Sequence, residues 1–85
     1  MTITLRYFAS VREAVGMGQE NFELPAGVAT VGAVRAAVAA RGGVWLDALG
    51  PDRAVRMAHQ QVMCGPETPV EDGAEVAFFP PVTGG

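Results

Sequence analysis

From Thr2 to Phe8 apolar and polar positions alternate, with Ile3, Leu5 and Tyr7 on one face and Thr2, Thr4, Arg6 and Phe8 on the other. A period of two predicts a strand with one buried face. Ser10 followed by Glu13 has capping-box spacing, so a short helix is expected from Val11 to Val15, stopping at Gly16. Gln19 to Leu24 alternates again, Phe22 and Leu24 inward, Asn21 and Glu23 outward, and pairs with the first strand as a long-looped hairpin. Pro25-Ala26-Gly27 breaks that strand. Thr30 then N-caps the clearest helix, Val31 to Arg41, in which Val31, Val34 and Val38 form an apolar stripe. Arg41 suits the last turn and Gly42-Gly43 the C-cap. A second short helix runs from Trp45 to Leu49 and ends at Gly50-Pro51.

The remainder reads as short strands, Ala54 to Ala58, Gln61 to Met63 and Ala74 to Phe79, with Glu71-Asp72-Gly73 turning into the last. One main helix packed across a mixed sheet is an α+β roll, and the ubiquitin-like β-grasp is its commonest small form. The expected organisation is a β-grasp domain over 1–79 and an extended tail over 80–85.

With 85 residues, 49% of them apolar, the chain fits one globular domain. Such a length buries roughly 60–65% of its unfolded surface, enough for one modest core. No apolar run approaches the ~20 residues that span a bilayer, and the start shows no basic segment followed by an apolar one. A soluble cytoplasmic protein is the expectation, with no membrane partner. The net charge is −3, and the six basic residues, Arg6, Arg12, Arg35, Arg41, Arg53 and Arg56, are scattered along the sequence, which argues against nucleic acid. Cys64 is the one cysteine, too few for a disulfide or an iron–sulfur cluster. The chain has no lysine. Two readings cover that: a genome biased towards Arg, Ala, Val and Gly codons, or a gain from lacking amines that could attack an activated carboxyl end.

The candidate chemistry lies in the ending Phe78-Phe79-Pro80-Pro81-Val82-Thr83-Gly84-Gly85. Pro80 and Pro81 cannot donate to a ladder and favour an extended path. From Pro80 to Gly85 the reach is about 20 Å at ~3.3 Å per residue. Gly84 and Gly85 carry no side chains and can thread a narrow channel. A Gly-Gly end also occurs on frayed termini, but the apolar run leading into this one is unlike a floppy polar tail. A terminal carboxylate, with a pKa near ~3.5, is ionised and a poor electrophile until activated, most economically as an acyl-adenylate. No G-x-x-x-x-G-K-[ST] is present, and Gly16-Met17-Gly18 is too short to count, so the chain is expected to bind no cofactor and the ATP-using enzyme to be a separate partner.

The ending FFPPVTGG, the opening LRYFASVRE and the DGAEVAFFPP segment resemble the MoaD/ThiS group of sulfur carriers, in its molybdopterin-synthase branch, over essentially the whole chain. The resemblance implies that Gly85 is adenylated by an enzyme of the ubiquitin-activating type and converted to a thiocarboxylate. The tail then enters the large synthase subunit, and its sulfur builds the dithiolene of molybdopterin from cyclic pyranopterin monophosphate. It also implies a heterotetramer of small and large subunits, in which the small subunit is no enzyme on its own. Rival readings are sulfur delivery to the thiazole of thiamine, and a protein modifier joined to target lysines. The blandest rival is an interaction module with an idle tail. Relatives usually carry Asn where this chain has His59, and the loop from Cys64 to Pro69 is slightly longer; both bear on partner contacts, not on the tail.

Strand counting puts Ala74, Val76 and Phe78 inward and Glu75, Ala77 and Phe79 outward. Neighbouring first and last strands would then join Phe8 and Phe79 in one exposed docking patch. Pro80, Pro81, Val82 and Thr83 form the threading segment, with Gly84 the slim neighbour of the modified Gly85. Arg6 and Arg12 suit a polar rim or a solvated face equally. His59 has no ligand-spaced carboxylate or cysteine and reads as a surface residue. Cys64 reads as an inert thiol, Trp45 as cover for the sheet, and Met57 and Met63 as packing.

Overall fold

The computed structural model describes residues 1–81. In chain order the elements are β1 (Thr2–Tyr7), α1 (Ala9–Val15), β2 (Gln19–Glu23), α2 (Val31–Ala39), α3 (Val44–Leu49), β3 (Arg56–His59), β4 (Val62–Cys64) and β5 (Glu75–Phe79). The strands form one sheet in the order β2-β1-β5-β3-β4. β1 and β5 run parallel at its centre, and every other pair is antiparallel.

The alternation of β1 sends Ile3, Leu5 and Tyr7 into the core, where they meet Val76 and Phe78 of β5. Val11 and Val15 of α1, Val31, Val34 and Val38 of α2, and Leu49 of α3 join the same cluster. All three helices therefore lie against one face of the sheet, α2 most deeply. Among the described residues no helix covers the other face.

Local chemistry explains where elements start and stop. The Thr30 hydroxyl accepts from the Ala33 N–H at 3.1 Å and caps α2 as expected. Gly32 N–H donates to the Pro66 carbonyl at 2.8 Å, which seats the 65–70 loop against the first turn of α2. The helix ends at Ala39 rather than Arg41: the Arg41 N–H donates to the Val38 carbonyl in a tightened last turn, and Gly42 at φ 77° turns the chain away. Ser10 caps nothing. The chain runs from β1 through an extended Phe8 straight into α1, so Phe8 takes the cap position and Ser10 falls inside the helix. Gly16, at φ 80°, ends α1 in the left-handed conformation as its position predicted.

Strand bounds at β3 and β4 shift from the expected ones. Gln60 and Gln61 both adopt positive φ, 52° and 66°, and make a two-residue hairpin, which removes Gln61 from β4. β3 begins at Arg56 rather than Ala54. Met63 is not a packing residue: it pairs with Ala58 on the uncovered face and is exposed.

Candidate functional site: the tail root and the open face of the sheet

β5 is the central strand, and the chain leaves it at Phe79. Its neighbours there are fixed by register: Tyr7 lies opposite Phe78 across the parallel pair, and Arg56 opposite Phe79 across the antiparallel one. The Phe8 N–H donates to the Phe78 carbonyl at 3.1 Å, extending the ladder one step beyond β1. Because Tyr7 and Phe78 point inward, Phe8 and Phe79 both point to the open face, side by side. Phe8 is 40% exposed and Phe79 half-buried. The expected pairing of the two aromatics on one face is thus present in the register.

One row behind them, Arg6, Ala77, Ala58 and Met63 follow one another across β1, β5, β3 and β4. Ala77 was expected outward; it faces the open side yet is buried, as is Ala58, because both are small and ringed by longer neighbours. The Arg6 guanidinium stands 5.4 Å from the centre of the Phe8 ring and 3.8 Å from Glu75. Its Nε is buried with no hydrogen-bond partner among the described residues. Phe8, Phe79, Ala77, Ala58 and Met63 together make an apolar strip that the tail leaves at one end.

The tail root is held from the helix side. Pro80 is half-buried on the wall of a cavity of about 370 Å³ between α1 and α3, with Ser10, Val11, Asp47, Arg53 and Val55 also lining it. Pro81 is exposed. Val82, Thr83, Gly84 and Gly85 lie outside the described residues.

Behind this surface a polar clamp fixes the end of β1. Glu20 accepts from the Tyr7 hydroxyl at 2.8 Å and from both terminal nitrogens of Arg41 at 2.9 and 3.0 Å. Arg41 lies 4.5 Å from the Trp45 ring centre and 5.5 Å from that of Phe22, and Trp45 sits 5.6 Å from Tyr7. Burial alone would raise the Glu20 carboxyl, but the hydrogen bonds from Arg41 and Tyr7 and the charge of Arg41 outweigh it and hold it below the usual carboxylate value. The Tyr7 hydroxyl is pushed far above its ordinary value, by burial first and then by Glu20. Arg35 makes a second brace, donating to the carbonyls of Leu49, Gly50 and Arg53 at 2.7–2.8 Å and closing the end of α3 near the tail root.

The remaining candidates lie elsewhere. His59 pairs with Val76 at the opposite end of the sheet from Phe79, and its Nε2 is 3.0 Å from Glu71, a carboxylate that sequence spacing had not offered. Cys64 is half-buried on the helix side, opposite Met57 and against the core. Trp45 packs against Tyr7 and the core, covering part of the sheet as expected. Sequence reasoning missed the Tyr7–Glu20–Arg41 clamp, whose charged partners are 21 residues apart. It also missed that Arg6 and Arg56, far apart in sequence, stand beside Phe8 and opposite Phe79.

The sequence model of the ThiS family matches residues 5–85, which takes in the second half of β1, every later element and the Gly-Gly end. The chain belongs to the ThiS family. The molybdopterin synthase sulfur carrier subunit of Escherichia coli (strain K12) is 43% identical to this ThiS-family chain over 83 residues, 98% of this chain and 99% of the relative. The solution structure of the Haloferax volcanii HVO 2177 protein matches with a TM-score of 0.80 at 31% identity, over 100% of this chain and 87% of that one. A chain from the protein-protein complex of subunits 1 and 2 of molybdopterin-converting factor from Helicobacter pylori 26695 matches with a TM-score of 0.69 at 20% identity, over 100% of both. The five-stranded mixed sheet on its helices is the ubiquitin-like β-grasp that the element order predicted.

Proposed function

We propose that this chain is the sulfur carrier subunit of molybdopterin synthase, with the body over 1–79 as the platform and 80–85 as the delivering tail. The observation that carries the reading is the exit of FFPPVTGG from the central strand, beside an aromatic pair on a sheet face that no described helix covers. The near full-length relative named as that subunit supports it. A separate adenylating enzyme joins the Gly85 carboxylate to the α-phosphate of ATP and releases pyrophosphate. Hydrosulfide-level sulfur then attacks the acyl carbon, the acyl–phosphate bond breaks, AMP leaves, and a thiocarboxylate remains with one proton released. The large subunit binds the open face, admits the tail, and holds the cyclic pyranopterin monophosphate that takes the sulfur. Acid–base chemistry belongs to that partner; this chain contributes position. Phe8 and Phe79 dock, Pro80 fixes the exit angle, and the side-chain-free tip passes the channel.

Intact mass spectrometry after incubation with ATP, an adenylating enzyme and a sulfur source tests this directly. A sulfur-for-oxygen exchange at Gly85 is expected, reversed when the large subunit and cyclic pyranopterin monophosphate are added. Failure to exchange sinks the carrier reading. Exchange that is reversed only by a thiazole-forming recipient transfers the carrier to thiamine synthesis. Higher-mass conjugates with other proteins' lysines point to a modifier instead.

A further inference from the structure

Among the described residues three that are not glycine adopt positive φ: Ala9 at 50°, Gln60 at 52° and Gln61 at 66°. The two glutamines make the turn between β3 and β4. Ala9 belongs to no hairpin turn; it is the joint between β1 and α1. A left-handed backbone brings the Cβ of an L residue too close to the following carbonyl oxygen, a cost that glycine escapes. Ala9 is exposed, so its methyl group is not there to fill the core. The strain has a local cause. Phe8 continues the β1 ladder, its N–H donating to the Phe78 carbonyl at 3.1 Å, with its ring on the open face. The Phe8 carbonyl accepts the N–H groups of Val11 at 3.1 Å and Arg12 at 3.3 Å, the bonds that open α1. Val11 is buried in the core on the helix side. The chain therefore crosses from one face of the sheet to the other between Phe8 and Val11. With both backbone groups of Phe8 committed, Ala9 takes the reversal in its own backbone.

We infer that Ala9 is a positioning residue for docking: its left-handed joint holds the Phe8 ring in one orientation on the face that receives the large subunit. The inference rests on the carrier reading and adds a residue to that same surface. Phe8 is 40% exposed and lies one step beyond β1, so the orientation of its ring depends on the backbone beneath it. An alanine held in the left-handed region occupies a small allowed basin, because its Cβ forbids most of the surrounding angles. Glycine accepts the same φ without strain, but it accepts many other angles as well. A glycine joint would therefore present the ring over a range of directions. It would suit stability better and docking worse, since an anchor that is ordered before the partner arrives loses less freedom on binding. Strain kept at an exposed position beside a docking ring lowers stability and raises preorganisation.

The test compares Ala9→Gly with a full chain carrying D-alanine at position 9, assembled from two synthetic segments joined at Cys64. Ala9→Gly should melt at or above the wild-type temperature, by up to about 8 °C, because the strain is gone. It should nevertheless bind the large synthase subunit at least about threefold more weakly by calorimetry, with most of the change in the dissociation rate. D-alanine is the mirror image of the natural residue, so it favours the left-handed region and keeps a Cβ. That chain should melt higher than wild type and bind at least as tightly. The effect should also run through Phe8: on a Phe8→Ala background, Ala9→Gly should change the affinity less than about 1.5-fold. Glycine and D-alanine chains that both bind as wild type does would overturn the inference while leaving the carrier reading intact. An undiminished loss on the Phe8→Ala background would overturn it too, since the joint would then act elsewhere. Loss of stability together with affinity in Ala9→Gly would make Ala9 a folding residue only, and the inference would fall. No binding of wild type under any condition would remove the carrier reading, and this inference with it.

Discussion

Replacing Glu20 should be among the most damaging single changes available outside the apolar core. Its carboxylate holds three short hydrogen bonds, at 2.8, 2.9 and 3.0 Å, and its side chain is only 19% exposed. In Glu20→Ala the Tyr7 hydroxyl loses its acceptor, which costs about 1–3 kcal/mol for a polar group away from water. Arg41 loses a bidentate pair that, partly screened by solvent, contributes about 0.5–1 kcal/mol. The sum is about 1.5–4 kcal/mol, a fall of roughly 6–32 °C in Tm for a domain of this size. Glu20→Gln keeps an acceptor for Tyr7 and one for Arg41 but not the charge, so about 1 kcal/mol is expected.

The pH dependence gives a second, independent reading of the same clamp. Glu20 has a folded value below its unfolded one, so the unfolded chain binds the proton more readily at mildly acid pH. The stabilisation is present above the unfolded value near ~4.3 and is lost as pH falls through the folded one. Urea denaturation at neutral pH and at about pH 3 should therefore show the gap between wild type and Glu20→Gln shrinking in acid. Tyr7 works at the other extreme. Its raised hydroxyl stays protonated in the fold while the unfolded chain ionises near ~10, so stability should fall as pH rises above that value, and Tyr7→Phe should remove the effect. A cost for Glu20→Ala below about 0.5 kcal/mol, or a Glu20→Gln gap that is flat with pH, would refute the clamp as an energetic feature.

Removing Gly85 should abolish thiocarboxylate formation in the mass assay while leaving the melting curve unchanged, since a terminal residue beyond the sheet contributes little to the fold; a normal yield from the truncated chain would refute its role. Phe79→Ala should weaken the complex with the large subunit at least about tenfold by calorimetry, as expected for an aromatic at the centre of an interface, and unchanged affinity would remove it from the docking face. Gly32→Ala pits two effects against each other. An alanine favours the helix by about 1 kcal/mol, but its Cβ would meet Pro66 Cβ at 2.8 Å and the Pro66 carbonyl oxygen at 2.9 Å. The overlap should win, for a net loss of about 1–2 kcal/mol in urea denaturation; a more stable variant would show that the 65–70 loop gives way freely.

What could be read from the sequence divides by the range of the interaction. β1 and the inward face of β5 were legible because a buried strand face imposes a period of two, and β1 buries every residue that the count placed inward. The start of α2 was legible because Thr30 caps it through a bond only three residues long. The Gln60–Gln61 turn was not, since glutamine carries none of the usual signal for a left-handed pair, and the hairpin imposes the conformation on it. Ser10 carried a capping signal that the ladder overrode by holding Phe8 in place. The Glu20–Arg41 pair and the His59–Glu71 contact bridge elements that meet only in the folded chain, and no local pattern announces them. The same limit applied to the arginines: a list of six scattered cations held no positions until the register put Arg56 opposite Phe79 and Arg6 beside Phe8.

The tail chemistry was legible for a different reason: it depends on what the last residues lack, not on what surrounds them. Side chains absent at Gly84 and Gly85 and donors absent at Pro80 and Pro81 are facts of composition and need no fold to express them. What the fold adds is direction. A tail on an edge strand would swing with that strand's exposed flank, whereas β5 is paired on both sides, so the exit at Phe79 inherits the rigidity of the sheet centre. The clamp on Tyr7 secures one neighbour of that exit, and Arg35, by tying the end of α3 to Arg53, secures the wall against which Pro80 rests. Stability and delivery are therefore coupled here through position rather than through shared catalytic groups. Loosening the clamp should blunt delivery by misdirecting a tail that is itself chemically intact.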